Sequence, residues 1–183
     1  MPKESILVTI QRIQDSLKYF SVEDGLPQNS VTDTAINLTG EMLIATYSGV
    51  VAFDGNTFSK KIPNSDQLFP NLEASVIAID HDNAIWVGTT TKGLYRIKDG
   101  IIKNWQKEDG FISNYITRIQ TSKSGVFFVS NAILYSIKPN TADTVEKVSS
   151  TKFNNYNLTT FISADNYLTV VDKSGIWIYK SGA

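Results

Sequence analysis

The chain carries a single histidine, His81, in the stretch Asp80-His81-Asp82-Asn83. An imidazole between two carboxylates could begin a metal site, and acidic residues such as Asp24, Glu108 and Asp109 could serve as paired carboxylates for general acid–base work. Neither chemistry finds further support. The chain has no cysteine, and no ligand spacing joins His81 to others. A serine triad would rest on His81 alone, with no nucleophile-elbow phrase, and no Walker or dinucleotide glycine motif is present. Asp and Asn around His81 have instead the composition of a turn whose side chains bond their own backbone. Asp24 and the pair Glu108 and Asp109 stand at matched places in two similar phrases, which points to a structural turn. No catalytic residue, metal or cofactor is therefore expected.

Bulk composition narrows the rest. The 183 residues suffice for one domain, 42% are hydrophobic, and the net charge is −1. That charge gives no reason to bind nucleic acid or an anionic membrane. No apolar run is long enough to span a bilayer. Residues 1–10 carry Glu4 and only a short apolar stretch, a poor signal peptide. Residues 1–15 alternate like a strand at Ile6, Val8 and Ile10, yet place Ile6, Ile10, Ile13 and Leu17 on one helical face; both readings stay open.

The elements that would position any site are set by a repeat. Val22-Glu23-Asp24-Gly25-Leu26-Pro27 returns as Lys107-Glu108-Asp109-Gly110-Phe111-Ile112, with Gly25 and Gly110 separated by 85 residues. Leu43-Ile44-Ala45-Thr46-Tyr47-Ser48-Gly49-Val50 returns as Trp86-Val87-Gly88-Thr89-Thr90-Thr91-Lys92-Gly93-Leu94, and in faded form at Phe128-Val129-Ser130-Asn131 and Asp172-Lys173-Ser174-Gly175-Ile176. The period is about 42 residues, which marks one supersecondary unit copied along the chain.

Each copy reads as short strands. The first spans Val31 to Asn37, Met42 to Thr46, Val50 to Phe53 and Thr57 to Ile62. The second spans Ser75 to Ile79, Ala84 to Gly88, Gly93 to Ile97 and Ile101 to Trp105. The third spans Tyr115 to Gln120, Val126 to Ser130, Ile133 to Ile137 and Thr144 to Val148. The fourth spans Leu158 to Ser163, Tyr167 to Val171 and Gly175 to Tyr179. Four strands per unit of this length predict an all-β fold, a β-propeller of about four four-stranded blades over residues 16–62, 63–106, 107–150 and 151–183, with 1–15 outside the repeat. A β-sandwich is the rival architecture, and it leaves the matched phrases unexplained. The fourth copy has three strands, while Ser16 to Ser21 before Glu23-Asp24-Gly25 matches Ile102 to Gln106 before Glu108-Asp109-Gly110, a fourth strand. The last blade is thus expected to be completed by the N-terminal strand, within the chain or across a dimer. Trp86, at the place of Leu43, and Trp105, at that of Tyr19 or Phe20, are expected to pack between blades, as are Trp177 and Tyr179.

The phrases Glu23-Asp24-Gly25-Leu26-Pro27-Gln28-Asn29-Ser30-Val31 and Ala84-Ile85-Trp86-Val87-Gly88-Thr89 resemble the two-component regulator propeller repeat, and the resemblance covers approximately residues 17–180. It implies the sensor region of bacterial membrane proteins, often hybrid histidine kinases, lying in the periplasm or otherwise outside the cytoplasm. In that family the propellers recognise signals such as carbohydrate fragments or relay them through dimerisation. It also implies more blades than four, followed by a β-sandwich, a transmembrane helix and an output domain.

In a propeller the loops between blades and the turns between second and third strands share one face. The candidate ligand-binding residues there are Gln28, Asn29, Tyr47, Thr90, Lys92, Asn114, Asn131, Asn155 and Lys173. Their composition suits a neutral, hydrogen-bonding ligand or a protein surface. The expected function is a non-enzymatic ligand- or partner-binding module of a sensor, with a small molecule, a carbohydrate or a second copy as partner. The alternatives are an assembly module that forms its propeller by oligomerisation, and a propeller lyase or hydrolase.

Overall fold

The computed structural model describes residues 17–123, 125–138, 144–149, 153, 159–162, 167–172 and 175–180. Each repeat folds into its own antiparallel sheet with strands in chain order. The first sheet holds β1 (Val31–Ile36), β2 (Met42–Thr46), β3 (Gly49–Phe53) and β4 (Phe58–Ser59), the second β5 (Ala74–Ile79), β6 (Ile85–Thr89), β7 (Leu94–Lys98) and β8 (Ile101–Trp105). The third holds β9 (Ile116–Ser122), β10 (Gly125–Ser130), β11 (Ile133–Ile137) and β12 (Val145–Lys147), the fourth β13 (Thr159–Ile162), β14 (Tyr167–Asp172) and β15 (Gly175–Lys180). Residues 1–15 lie outside the described residues.

The second strand of each sheet is apolar on both faces because both faces are buried. Side chains alternate across the sheet, so neighbouring residues serve different interfaces. Leu43 and Ala45 face the second sheet and pack with Ile77, Ile85 and Val87. Trp86 points the other way and packs with Leu94, Trp105, Ile116 and Phe128 between the second and third sheets. Phe127, Val129 and Leu134 meet Leu168 and Val170 between the third and fourth. The expected packing of Leu43, Trp86 and Trp105 is thus observed, and the Trp86 and Trp105 rings stack at 5.5 Å. Gly88 is required at its place: a Cβ there would sit 2.6 Å from Val76 and 2.8 Å from Ile116, so only a bare backbone lets the third sheet approach.

Inner strands follow one another around an axis, β1 beside β5, β5 beside β9 and β9 beside β13. These are blades of a β-propeller. No comparable contact joins β13 to β1, so the four blades form an arc.

Two expected strands are shorter than their sequence suggests. Thr57 to Ile62 pairs only at Phe58–Ser59, because the chain then folds on itself: Ile62 N–H donates to Gln67 O at 2.8 Å, and Ser65 N–H to Ile62 O at 3.0 Å. Thr144 to Val148 is reduced to Val145–Lys147. Among the described residues the closing strand is not made within the chain. Residues 17–21 pair with no strand, with Ser21 extended, and the fourth sheet keeps three strands among the described residues.

Candidate functional site

The phrase that opens the first repeat is a clip, and it recurs. Ser21 N–H donates to Asp24 Oδ2 at 2.8 Å, and Gln106 N–H to Asp109 Oδ2 at 2.7 Å. Val22 N–H donates to Asn29 Oδ1 at 2.9 Å, and Lys107 N–H to Asn114 Oδ1 at 2.8 Å. Gly25 and Gly110 close the two turns at φ 111° and 116°, a region that favours glycine. Asp24, Asp109, Asn29 and Asn114 are therefore bound to backbone in the same way twice.

Asp80 is committed as well. Its Oδ1 accepts the N–H of Asp82 and of Ala84, both at 2.9 Å, and its Oδ2 accepts Trp86 Nε1–H at 2.8 Å. His81 Nε2 lies 3.5 Å from Asp82 Oδ1. This turn joins first to second strand, at the end of the blade away from the loop face. No cluster of three metal-ligating side chains occurs among the described residues.

The other expected ligand-binding residues divide similarly. The Thr90 hydroxyl donates to Glu73 Oε2 at 2.5 Å, and Lys92 Nζ donates to Asn71 O at 3.0 Å, so both tie the turn of their own sheet to the loop before it. Asn131 holds φ 46° beside Ala132 at 64°, the left-handed conformation of a two-residue hairpin turn. Gln28 Oε1 is buried without a hydrogen-bond partner. Asn155 and Lys173 lie outside the described residues. Tyr47, half-exposed, lines a cavity.

That cavity, of about 370 Å³, opens on the loop face where three blades converge. It is lined by Ser30, Val31, Thr32 and Tyr47 of the first blade, Ser75 of the second, and Tyr115, Thr117 and Arg118 of the third. Its hydroxyls are placed by a repeated backbone device. The register of β1 against β2 slips between Val31 and Asp33, and that of β5 against β6 between Ala74 and Val76. The slip in the third blade falls opposite Val129 and Ser130, where Ile116 and Arg118 pair and Thr117 is skipped. Thr32, Ser75 and Thr117 are the bulged residues, and bulges aim side chains out of the ladder. Thr32 Oγ1 donates to Ala74 O at 2.9 Å and Ser75 Oγ to Ile116 O at 2.6 Å, so each also pins the next blade. Arg118 Nη1 donates to Thr117 O at 2.7 Å, which holds the guanidinium over the rim.

Three further cavities among the described residues are less suited to recognition. One of about 380 Å³ lies at the outer strand of the first blade around Lys61 and Asp66, which pair at 3.2 Å. One of about 310 Å³ lies under the loop carrying Phe69 and Pro70. One of about 240 Å³, around Phe153 and Trp177, lies in the cleft between third and fourth blades. Of these four cavities, the mouth gathers two aromatic rings, a guanidinium and several hydroxyls from three repeats. Tyr115 and Arg118 were hidden in the sequence inside an ordinary strand. The available signal was a cation at the place where the first two repeats have Asp33 and Val76.

No family model matches the chain, and no characterised protein matches it by sequence. Solved structures share its fold. The extracellular domain of BT3049 from B. thetaiotaomicron, assigned to a hybrid two component system, is 18% identical, with a TM-score of 0.63 over 88% of this chain and 26% of that one. The extracellular domain of BT4673 from the same organism is 16% identical, with a TM-score of 0.66 over 86% of this chain and 25% of that one. Virginiamycin B lyase from Staphylococcus aureus is 15% identical, with a TM-score of 0.54 over 85% of this chain and 57% of that one. The chain therefore spans about a quarter of the two extracellular domains. The scaffold is shared by extracellular domains of two-component systems and by a lyase, so the fold alone assigns no chemistry. No helix among the described residues is long and apolar enough to cross a membrane.

Proposed function

We propose that this chain is a recognition module of a bacterial extracytoplasmic sensor, and that it binds a hydroxyl-rich ligand of the carbohydrate class at the mouth of the arc. The observation that carries the reading is the convergence of Tyr47, Tyr115 and Arg118 with Ser30, Thr32, Ser75 and Thr117 around one cavity. Half-exposed tyrosine rings offer flat apolar faces for the C–H surface of a sugar, and their hydroxyls add polar tips. Serine and threonine hydroxyls both donate and accept, which matches a ligand made of hydroxyls. A volume near 370 Å³ is that of a small-molecule pocket.

The reading is non-catalytic. Asp24, Asp80 and Asp109 bond turn backbone, and His81 sits at the other end of the blade. The residues lining the mouth include no carboxylate, imidazole or lysine, and its proton-bearing side chains besides the Ser and Thr hydroxyls are the Tyr47 and Tyr115 phenols and the Arg118 guanidinium. Calorimetric titration with a panel of neutral and uronate-containing oligosaccharides tests the proposal. Tyr47→Ala and Arg118→Ala should each weaken binding at least ~10-fold with little change in stability, a loss of about 1.4 kcal/mol. His81→Ala should leave affinity unchanged. Binding that survives both mouth substitutions, or that is lost with His81, would refute it.

A further inference from the structure

We propose that the open edge and face of the fourth blade are completed by residues 17–21 of a second copy of this chain, and reciprocally, giving a two-chain ring of eight blades. Residues 17–21 already stand where a preceding blade would put its outer strand. Trp105 ends β8 directly before the clip at Gln106, and Phe20 stands directly before the matching clip at Ser21. Trp105 covers the face that the second sheet presents to the third. Phe20 lies edge-on to Phe53 at 4.8 Å and to Phe58 at 5.6 Å, on the face the first sheet presents to a preceding blade.

The fourth blade has the complementary deficit. Ile176 and Ile178 occupy the places of Val50 and Ala52, which are 2% and 4% exposed beneath the second blade, yet each isoleucine is 68% exposed. On the other partner, Leu17 is 99% and Tyr19 84% exposed. β8 pairs with β7 through Trp105↔Leu94 and Ile102↔Ile97. The same register sets Phe20 opposite Ile176, Lys18 opposite Ile178 and Leu17 opposite Tyr179. It gives β15 the fourth strand that the other three sheets possess and removes a free sheet edge.

The partner is a second copy because, among the described residues, one chain does not bring these elements together. Residues 17–21 lie on the first blade, β15 edges the fourth, and no contact comparable to those between neighbouring inner strands links β1 to β13. A twofold pair is self-complementary, so both ends close at once. It also sets a second Tyr47, Tyr115 and Arg118 around one mouth; only this consequence rests on the recognition site proposed above.

The absence of cysteine makes the test clean. Lys18→Cys and Ile178→Cys proteins, both altered at exposed positions, are mixed in equal amounts and oxidised. The expected product is a disulfide-linked pair containing one chain of each kind, well above that from Lys18→Cys mixed with Leu38→Cys. Light scattering on the unaltered protein should give twice the 20.3 kDa chain mass. A monomer mass at all concentrations would overturn the proposal, as would a double variant that links only within one chain. A dimer whose mixed cysteines link no better than the Leu38 control would overturn it too. Loss of sugar binding alone would bear on the mouth and not on this pairing.

Discussion

Replacing Trp86 with alanine removes the side chain that joins the second blade to the third. The ring is buried, stacks on Trp105 at 5.5 Å, lies under the Arg96 guanidinium at 5.8 Å and donates Nε1–H to Asp80 Oδ2 at 2.8 Å. Truncating a buried tryptophan costs about 3–5 kcal/mol, and the interface around Leu94, Ile116 and Phe128 can collapse only partly into the space. Trp86→Phe separates the contributions, since it keeps an aromatic ring but removes the donor to a buried carboxylate, at about 1–3 kcal/mol. Urea unfolding followed by circular dichroism reads both. With a slope near ~2 kcal/mol per molar, the alanine variant should unfold roughly 2 M earlier and the phenylalanine variant about 1 M earlier. A shift within about 0.5 kcal/mol for Trp86→Ala would refute the packing of the blades through this residue.

Gly88→Ala should destabilise by roughly 1–3 kcal/mol in the same assay, because the added methyl meets Val76 and Ile116 across the blade interface; an unchanged midpoint would mean that the third blade does not approach as described. Asn29→Ala and Asn114→Ala each remove an acceptor from a backbone N–H and should cost about 1 kcal/mol, in parallel, because the two clips are equivalent. Burial raises the hydroxyl pKa of Tyr95 and Tyr135 above the ordinary value of 10.0. Both groups therefore stabilise the fold fully below pH 10, and that contribution declines as pH rises through their folded values, so unfolding midpoints should fall at alkaline pH. Tyr95→Phe with Tyr135→Phe should flatten that decline. Far-ultraviolet circular dichroism should report strand with little helix, and helix above about a fifth of the chain would contradict the propeller.

The repeat made the fold legible because propeller blades are held by the same contacts each time. Leu43 and Trp86 face the next blade from equivalent places, and the matched Gly25 and Gly110 close equivalent turns. The site was less legible for the same reason. Asn29 and Asn114 had the composition of ligand-binding loop residues, yet their recurrence at a fixed offset from Val22 and Lys107 marked them as part of the clip. The proposed recognition site rests instead on residues that break the pattern: Tyr47 where the second repeat has Thr90, and Arg118 where the first has Asp33. The bulges at Thr32, Ser75 and Thr117 leave little trace in the sequence, since β-branched and hydroxyl residues are ordinary in strands. The short β4 was hidden because Lys60, Lys61 and Ile62 extend the strand pattern while the backbone turns to meet Gln67 and Phe69.

Hydroxyl-radical footprinting of the tyrosines, read by mass spectrometry with and without the oligosaccharide that binds best, tests the recognition site most directly. Tyr47 and Tyr115 should be protected together on binding, while Tyr19, which lies away from the mouth and is exposed in the single chain, should not follow the ligand. Binding that leaves Tyr47 and Tyr115 labelled at their unliganded rates would contradict recognition at the mouth.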